Sequence, residues 1–143
     1  MRLEKINLLF SVKVGKNKIF NIKESKAVLL EVYRNDRGSF SARKLSRRPN
    51  DTYRGFPCLI NLNDEYVFVL GGARRSKMYS VFNTVACYDL ATNDAPIAYP
   101  EMNAPRMQAS GCALNGSLYV FGGKNNPQTM QPLNFIERLQ NPL

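Results

Sequence analysis

YVFVLGG at residues 66–72 returns as SLYVFGG at residues 117–123, and this repeated stretch decides the fold. Each copy is a short apolar run that ends in a pair of glycines. The two glycine pairs are 51 residues apart, and the same distance separates Asn83 from Asn134. A period of about 50 residues, with several short strands in each unit, is typical of the blades of a β-propeller.

The rest of the chain also predicts short strands separated by turns. From Ile6 to Val14 apolar residues recur at every second position, which is the period of a strand. Asn35-Asp36-Arg37-Gly38 and Asn115-Gly116 predict tight turns. The predicted strands are 6–14, 19–22, 27–33 and 39–45, then 58–62, 66–70, 83–89 and 97–99, then 109–114, 117–121 and 134–139. We therefore predict an all-β chain of four-stranded antiparallel meanders.

The motifs around the repeat resemble those of the kelch repeat family. In kelch blades the second strand ends in a glycine pair and the third ends in Tyr-Asp. This chain has the glycine pair twice, Tyr-Asp once, and a Pro-Arg that is similar to the family's entry to a new blade. They are Gly71-Gly72, Gly122-Gly123, Tyr88-Asp89 and Pro105-Arg106, in matching segments that cover about half of the chain.

The resemblance implies kelch-type propeller blades, in three units. These are a degenerate blade at residues 5–46, a full blade at 54–100 and an incomplete blade at 106–140. A closed propeller has about four to eight blades. The roughly 2.8 blades expected here would form an open part of a propeller that cannot close into a ring.

Two departures from the family pattern are visible. The aromatic residue that kelch blades place seven residues after the tyrosine is Ala95 here, which implies a missing contact between blades. In the first unit Phe40 does follow Tyr33 at that spacing, but Lys23-Glu24 replaces the glycine pair and Arg34 replaces the aspartate. The first unit is therefore predicted from its strand pattern more than from its motif.

We expect the motif residues to be structural. A glycine pair permits backbone angles and close approaches that a Cβ would block, and neither pair belongs to a phosphate-binding motif such as GxGxxG. Arg106 and Asp89 are expected to hydrogen-bond between strands or blades. Strands 66–70 and 117–121 should be buried on both faces, and the small residues of 109–113 suit an innermost strand.

The composition offers no set of residues for catalysis or metal binding. The chain of 143 residues has no histidine, no GxSxG sequence and no apolar run long enough to cross a membrane. Cys58, Cys87 and Cys112 lack zinc-site spacing, and we expect all three to be buried in a reducing, cytoplasmic compartment. Asp64-Glu65 lies in a predicted turn. We predict a protein that is not an enzyme and that has no cofactor or metal.

By resemblance, the function is protein–protein interaction or scaffolding through loops at the rim of the propeller. Those loops are residues 46–53, 73–82 and 124–133. The second loop contains a basic and aromatic set that suits an acidic peptide, and a solvated loop is the alternative. This set is Arg74, Arg75, Lys77 and Tyr79.

The distribution of charge leaves a second function open. Residues 1–54 hold 14 Lys and Arg against 5 Asp and Glu, whereas residues 55–143 hold 6 of each, so the net charge of +9 lies in the first third. Binding of nucleic acid or another acidic surface there is the alternative function, and a solvated face is the simpler interpretation. No stripe of alternating basic and aromatic residues favours nucleic acid.

An open set of blades should also leave an uncovered apolar face and an open strand edge. Phe135, Ile136 and Leu139 lie on the last predicted strand, which has no partner on its outer side. We expect one of three explanations: a truncated chain, assembly with copies of itself, or docking onto another propeller-forming chain.

Overall fold

Antiparallel strands provide all of the regular structure that the computed structural model describes, in residues 10–23, 26–49, 55–75, 79–126, 128–129 and 131–143. These residues form thirteen strands, which confirms the all-β class, and no helix that could cross a membrane. The strands are β1 Ser11–Val14, β2 Lys18–Lys23, β3 Lys26–Arg34, β4 Phe40–Pro49, β5 Cys58–Leu62, β6 Tyr66–Leu70, β7 Ala73–Arg75, β8 Tyr79–Val81, β9 Val85–Asp89, β10 Ile97–Tyr99, β11 Ser110–Leu114, β12 Ser117–Phe121 and β13 Ile136–Leu139.

Eleven of these strands form three antiparallel sheets that follow one another along the chain. Sheet 1 has the order β1-β2-β3-β4, sheet 2 the order β10-β9-β6-β5, and sheet 3 the order β11-β12-β13. In each sheet the strand that comes first in the chain lies at one edge. These edge strands are neighbours, because β5 contacts both β1 and β11. The sheets are therefore stacked face to face in chain order, with sheet 2 in the middle.

Strand β6 is buried on both faces, as its unbroken apolar sequence predicts. Phe68 and Leu70 face sheet 3, whereas Val67 and Val69 face sheet 1. Full burial of one such side chain stabilises the fold by about 1.5–3 kcal/mol. The first cluster includes Leu118 and Val120, and the second includes Val14, Phe20, Ile22, Leu29 and Tyr88. The core thus consists of two layers, one on each side of sheet 2.

Close packing of β5 and β11 explains the small residues of β11. A Cβ added to Gly111 would lie 2.6 Å from Ile60 Cδ1, 2.8 Å from Cys58 Sγ and 2.9 Å from the Tyr119 carbonyl oxygen. These distances are shorter than van der Waals contact, so a larger side chain here would push the two strands apart.

Several predicted elements differ from the structure, among them β9, which begins at Val85 instead of Asn83. β4 continues to Pro49 instead of ending at Leu45, because a bulge at Leu45 lets it stay paired with β3. Residues 73–82 are not a plain loop, since β7 and β8 form a hairpin whose strands are too short and too polar to be recognised by alternation. β13 begins at Ile136, so Phe135 precedes the edge strand. Of the predicted strand 6–14, residues 6–9 lie outside the described residues.

The expectation that all three cysteines are buried is wrong for one of them. Cys58 and Cys87 are buried, and burial raises the pKa of each thiol to about 12. Cys112 is exposed. It pairs with Tyr119 on the face of sheet 3 that points away from sheet 2, whereas its neighbour Ala113 packs into the core.

Candidate functional site

Arg106 is completely buried where sheets 2 and 3 meet. Its Nη2 donates to Glu137 Oε1 at 2.6 Å, and its Nη1 donates to the Gly122 carbonyl at 2.9 Å. The guanidinium also lies over the Phe135 ring, with 4.8 Å between Cζ and the ring centroid. The buried guanidinium has both a carboxylate and a carbonyl as partners. Its contacts therefore join the segment that enters sheet 3 to the last strand of that sheet.

The backbone of Arg106 is tied to sheet 2 at the same point. Its carbonyl accepts from Gly72 N at 2.9 Å, and its amide donates to the Phe82 carbonyl at 3.0 Å. Gly71 has a φ of +62°, and a Cβ there would lie 2.1 Å from the Arg106 carbonyl oxygen. The glycine pair after β6 therefore allows the chain entering sheet 3 to pass directly against sheet 2.

The second glycine pair is under less steric pressure. Gly122 and Gly123 also have positive φ values, +66° and +82°. A Cβ on Gly123 would meet the Met107 carbonyl oxygen at 2.7 Å, whereas one on Gly122 would have nothing within 4 Å. All four motif glycines thus have a positive φ, and at Gly71 and Gly123 a Cβ would also lack space. The role expected for the pairs, backbone geometry, accounts for their environment.

Tyr88 and Arg48 tie sheet 2 to sheet 1. The Tyr88 hydroxyl donates to the Pro49 carbonyl at 3.3 Å, and its ring centroid lies 5.1 Å from that of Phe20. Arg48, expected to be solvated with its neighbour Arg47, is only 2% exposed, and its Nη2 donates to the Leu90 carbonyl at 3.1 Å. Burial lowers the pKa of Arg48, and nearby acidic groups oppose that effect.

Asp89 serves the turn after its own strand. Its Oδ1 accepts from Ala91 N at 2.8 Å, which closes the turn between β9 and β10. The expected hydrogen bond between strands or blades is thus made by Tyr88 and Arg106, while Asp89 is used locally. In the described part of the chain no group of three or more acidic residues and cysteines could hold a metal ion.

The β7–β8 hairpin carries the candidate partner-binding set. Arg74 is exposed and pairs with Ser80 across the hairpin, and Arg75 pairs with Tyr79. Lys77 lies outside the described residues, as do the side chains of Arg75 and Tyr79. The hairpin pairing places three of the four predicted positions on one short element.

Backbone hydrogen bonds fix the base of this hairpin. Ala73 and Gly55 exchange two bonds of 2.8 Å, and Phe82 N donates to the Gly72 carbonyl at 2.9 Å. Gly71 N donates to the Thr84 carbonyl at 2.9 Å. Since Gly72 also bonds to Arg106, the hairpin projects from a base that is continuous with the core.

The other two predicted loops are described in part. Residues 46–49 belong to β4, and 50–53 lie outside the described residues. In the segment 124–133, Lys124 exchanges two backbone bonds of 2.9 Å with Met107, and positions 127 and 130 lie outside the described residues. Each connection between sheets therefore pairs with a loop of the sheet that it enters. We call residues 55–57, 71–75, 79–84, 106–108, 122–126, 128–129 and 131–135 the hairpin end of the stack.

A second group of polar residues lies at the opposite end, between sheets 1 and 2. Asp64 Oδ1 accepts from Gly15 N and from Asn61 Nδ2, both at 2.6 Å. These hydrogen bonds, that of Asn61 above all, lower the pKa of Asp64. A cavity of about 330 Å³ opens beside them, lined by Lys18 and Glu65 among others. The hydrogen bond from Gly15 to Asp64 joins sheet 1 to sheet 2 beside this cavity.

Sequence reasoning missed Glu137, Arg48 and the Asn61–Asp64 pair. A signal existed for Glu137, because it is the only acidic residue in positions 122–143 and a buried arginine in this unit would need a carboxylate. For Arg48 no signal existed. It stands in a run of basic residues, and only the packing of two sheets separates it from Arg47.

Comparisons with known proteins find viral relatives of part of the chain and a solved structure with a similar fold. No family model matches the chain. The immune evasion protein OPG047 of vaccinia virus (strains Ankara and Western Reserve) and of monkeypox virus is 37% identical over 67 residues. That stretch is 47% of this chain and only 13% of the relatives. The solved structure of YjhT superposes with a TM-score of 0.63 over 81% of this chain and 34% of that one, at 18% identity. This second likeness is one of fold.

Proposed function

We propose that the chain is a protein-binding module made of kelch-type propeller blades, and that its partner surface is the hairpin end. The observation that carries the proposal is the β7–β8 hairpin. Its exposed Arg74 stands on a base that Gly55, Gly72 and the segment of buried Arg106 hold by backbone hydrogen bonds. Strands β7 and β8, held at their base in this way, lose less conformational freedom on binding than a free segment would, which favours affinity.

The order of strands supports the kelch-type interpretation. β6 and β12 each end in a glycine pair, 51 residues apart, and both are central strands of their sheets. Sheets 1 and 2 have four strands, sheet 3 has three, and the first strand of each lies beside its neighbours. This order supports the proposed arrangement of about 2.8 blades around an axis, and the likeness of fold to YjhT agrees with the proposal.

The name of the viral relatives suggests the setting in which such a module would act. They are called immune evasion proteins. The motif residues described here hold sheets together and leave the surface for binding, so we extend that role to this chain as capture of a protein. The basic hairpin favours a partner with an acidic surface, by charge complementarity. The same complementarity would make binding weaker at high salt.

A pair of charge-matched variants tests the proposal. Arg74, Arg75 and Lys77 are changed together to Ala, and the control changes Arg43, Lys44 and Arg47, on β4 of the basic first third, to Ala. Partners captured from infected-cell lysate with nuclease present are identified, and affinity is then measured with the purified partner. We expect the hairpin variant to bind at least about tenfold more weakly and the control to bind normally.

Two results would contradict the proposal. Loss of all bound material on nuclease treatment, with a steep dependence on salt, would favour nucleic-acid binding by the basic third. Normal binding by the hairpin variant would place the partner surface elsewhere. Both variants should melt at the temperature of the unmodified protein, because exposed charges contribute little to stability.

A further inference from the structure

Phe56 has a backbone conformation that does not suit a phenylalanine. Its φ is +56°, in the left-handed region where a bulky residue is an outlier. It also precedes Pro57, and the residue before a proline normally has an extended backbone. Gln108, at the same place in the next sheet, has a φ of +54°. Both residues stand two positions before the first strand of their sheet, so the repeat itself requires a left-handed backbone here.

The surrounding structure holds Phe56 in this conformation. Gly55 before it exchanges two hydrogen bonds of 2.8 Å with Ala73, and Pro57 after it is buried. The Phe56 carbonyl accepts from Gln108 N at 3.0 Å, so the two left-handed residues are bonded to each other. Strain of this kind persists only where neighbouring contacts over-determine the backbone, and it is concentrated at functional sites.

The backbone requirement does not explain why residue 56 is a phenylalanine. Glycine or asparagine would adopt a positive φ at lower cost. Burial does not offset the cost either, because Phe56 is 43% exposed. Its ring meets that of Phe10 edge to face, with 5.6 Å between the centroids. The ring is thus held in place and presented to solvent, which is the arrangement of an aromatic anchor in a binding surface.

Phe56 adds an apolar group to the basic hairpin. The bridge between Gly55 and Ala73 places Phe56 and Arg74 each one residue from the same pair of hydrogen bonds, and Arg74 is exposed. Phe56 contacts Phe10 ahead of sheet 1 and Gln108 ahead of sheet 3, so it lies within the stack and not at one of its ends. We propose that Phe56 is the apolar anchor of the partner surface at the hairpin end, and that the partner is an acidic segment that also carries an aromatic or aliphatic side chain.

This inference rests on the proposed function and adds a requirement to it. The basic hairpin calls for acidic groups on the partner, by charge complementarity. Phe56 calls for an apolar side chain close to those groups, because Phe56 and Arg74 belong to the same bridge. Aromatic residues and arginine are both enriched at the centre of protein interfaces. A partner segment with only one of the two residue types should therefore bind more weakly than one with both.

Peptides selected from a random library displayed on phage provide the test, with the unmodified protein as the target. We expect the enriched peptides to combine acidic residues with an aromatic or aliphatic residue. The affinity of their synthetic copies is then measured for each variant. Phe56→Gly should weaken binding at least about tenfold. Phe56→Tyr keeps the ring and should bind within about threefold of the unmodified protein.

Thermal melting separates a binding anchor from a packing residue. Phe56→Gly should melt at or above the temperature of the unmodified protein, because glycine relieves the left-handed backbone and little burial is lost. Gln108→Gly is the matched control, since it relieves nearly the same φ beside Phe56 without removing a ring. It should keep its melting temperature and its affinity.

The binding results separate this inference from the proposed function. Weaker binding by Phe56→Gly and by the Arg74, Arg75 and Lys77 variant supports both. Weaker binding by the hairpin variant alone overturns the inference and leaves the proposed function standing. Weaker binding by Phe56→Gly alone overturns the proposed function and, with it, the partner that combines acidic and apolar residues.

Three other results overturn the inference alone. The first is the absence of enriched peptides, because the proposed function is tested separately through its whole partner. The second is an equal loss of affinity in Phe56→Gly and Gln108→Gly, which would mean that backbone rigidity and not the ring is responsible. The third is a fall in Tm of more than about 5 °C in Phe56→Gly, which would show that the ring is needed for packing.

Discussion

Replacing Gly71 by Ala should destabilise the protein much more than the same change at Gly122. The two glycines occupy the same place in the repeat and have nearly the same φ, +62° and +66°. Alanine in the left-handed region costs about 1–2 kcal/mol at either site. At Gly71 the new Cβ would also lie 2.1 Å from the Arg106 carbonyl oxygen, whereas at Gly122 it would meet nothing within 4 Å.

The extra cost at Gly71 can be estimated from what must move. Overpacking costs about 1–3 kcal/mol. A shift of the Arg106 carbonyl would also weaken its hydrogen bond from Gly72 N, worth about 1 kcal/mol. Gly71→Ala should therefore lose about 2–4 kcal/mol more than Gly122→Ala in free energy of unfolding. For a chain of this size that is a difference of roughly 10 °C in Tm.

Urea unfolding followed by circular dichroism measures the two free energies, and equal m-values would show that both variants unfold from the same native state. Failure of Gly71→Ala to fold, with Gly122→Ala folded, agrees with the expectation. Equal losses of about 1 kcal/mol in both variants would refute the reasoning. They would mean that the approach of the Arg106 carbonyl is not what requires glycine at residue 71.

Three further changes test other contacts. Gly111→Ala should lower the free energy of unfolding by about 1–3 kcal/mol. Adding Ile60→Val should recover part of that loss, because valine lacks the Cδ1 that lies 2.6 Å from the new Cβ. Additive losses of the two changes in urea unfolding would contradict this. Glu137→Ala should cost about 3–5 kcal/mol by leaving the Arg106 guanidinium buried without its carboxylate, and the double variant Arg106→Met/Glu137→Leu should be more stable than Glu137→Ala. The pKa of Asp64 is lowered in the folded state, so its stabilising effect is present above its ordinary pKa of 3.8 and is lost as the pH falls through the lower, folded value. Tm measured from pH 5 to about pH 2 should fall less for Asp64→Asn than for the unmodified protein, and parallel curves would show that Asp64 is not responsible.

Most of the fold could be predicted because its signals are local. Alternation and turn residues predict strands one at a time, and all eleven predicted strands have a counterpart in the three sheets. The β7–β8 hairpin could not be predicted in this way. Three-residue strands such as Ala73–Arg75 are too short to show a period, and their pairing depends on the hydrogen bonds that Ala73 makes with Gly55.

The candidate site was less predictable, because its contacts join residues far apart in the chain. The motif identified Arg106 but not its partner Glu137, which is 31 residues away. Arg47 and Arg48 are adjacent and alike in sequence, yet they face opposite sides of β4, so one is exposed and the other is buried against sheet 2. A reliable choice between them requires the register of β4, which the bulge at Leu45 shifts by one residue.

The side chains of β6 alternate between the two core layers, so both outer sheets depend on sheet 2 for a covered face, whereas sheet 2 can rely on either of them. Val67 and Val69 belong to the layer shared with sheet 1, and Phe68 and Leu70 to the layer shared with sheet 3. Within the described chain, either outer sheet can detach while sheet 2 keeps one covered face, but neither outer sheet has a covered face once sheet 2 opens. Amide hydrogens of β6 should therefore be the last to exchange with deuterated solvent, and those of β4 and β13 should be among the first. Fraying from both ends towards the middle would be the route by which this molecule begins to unfold.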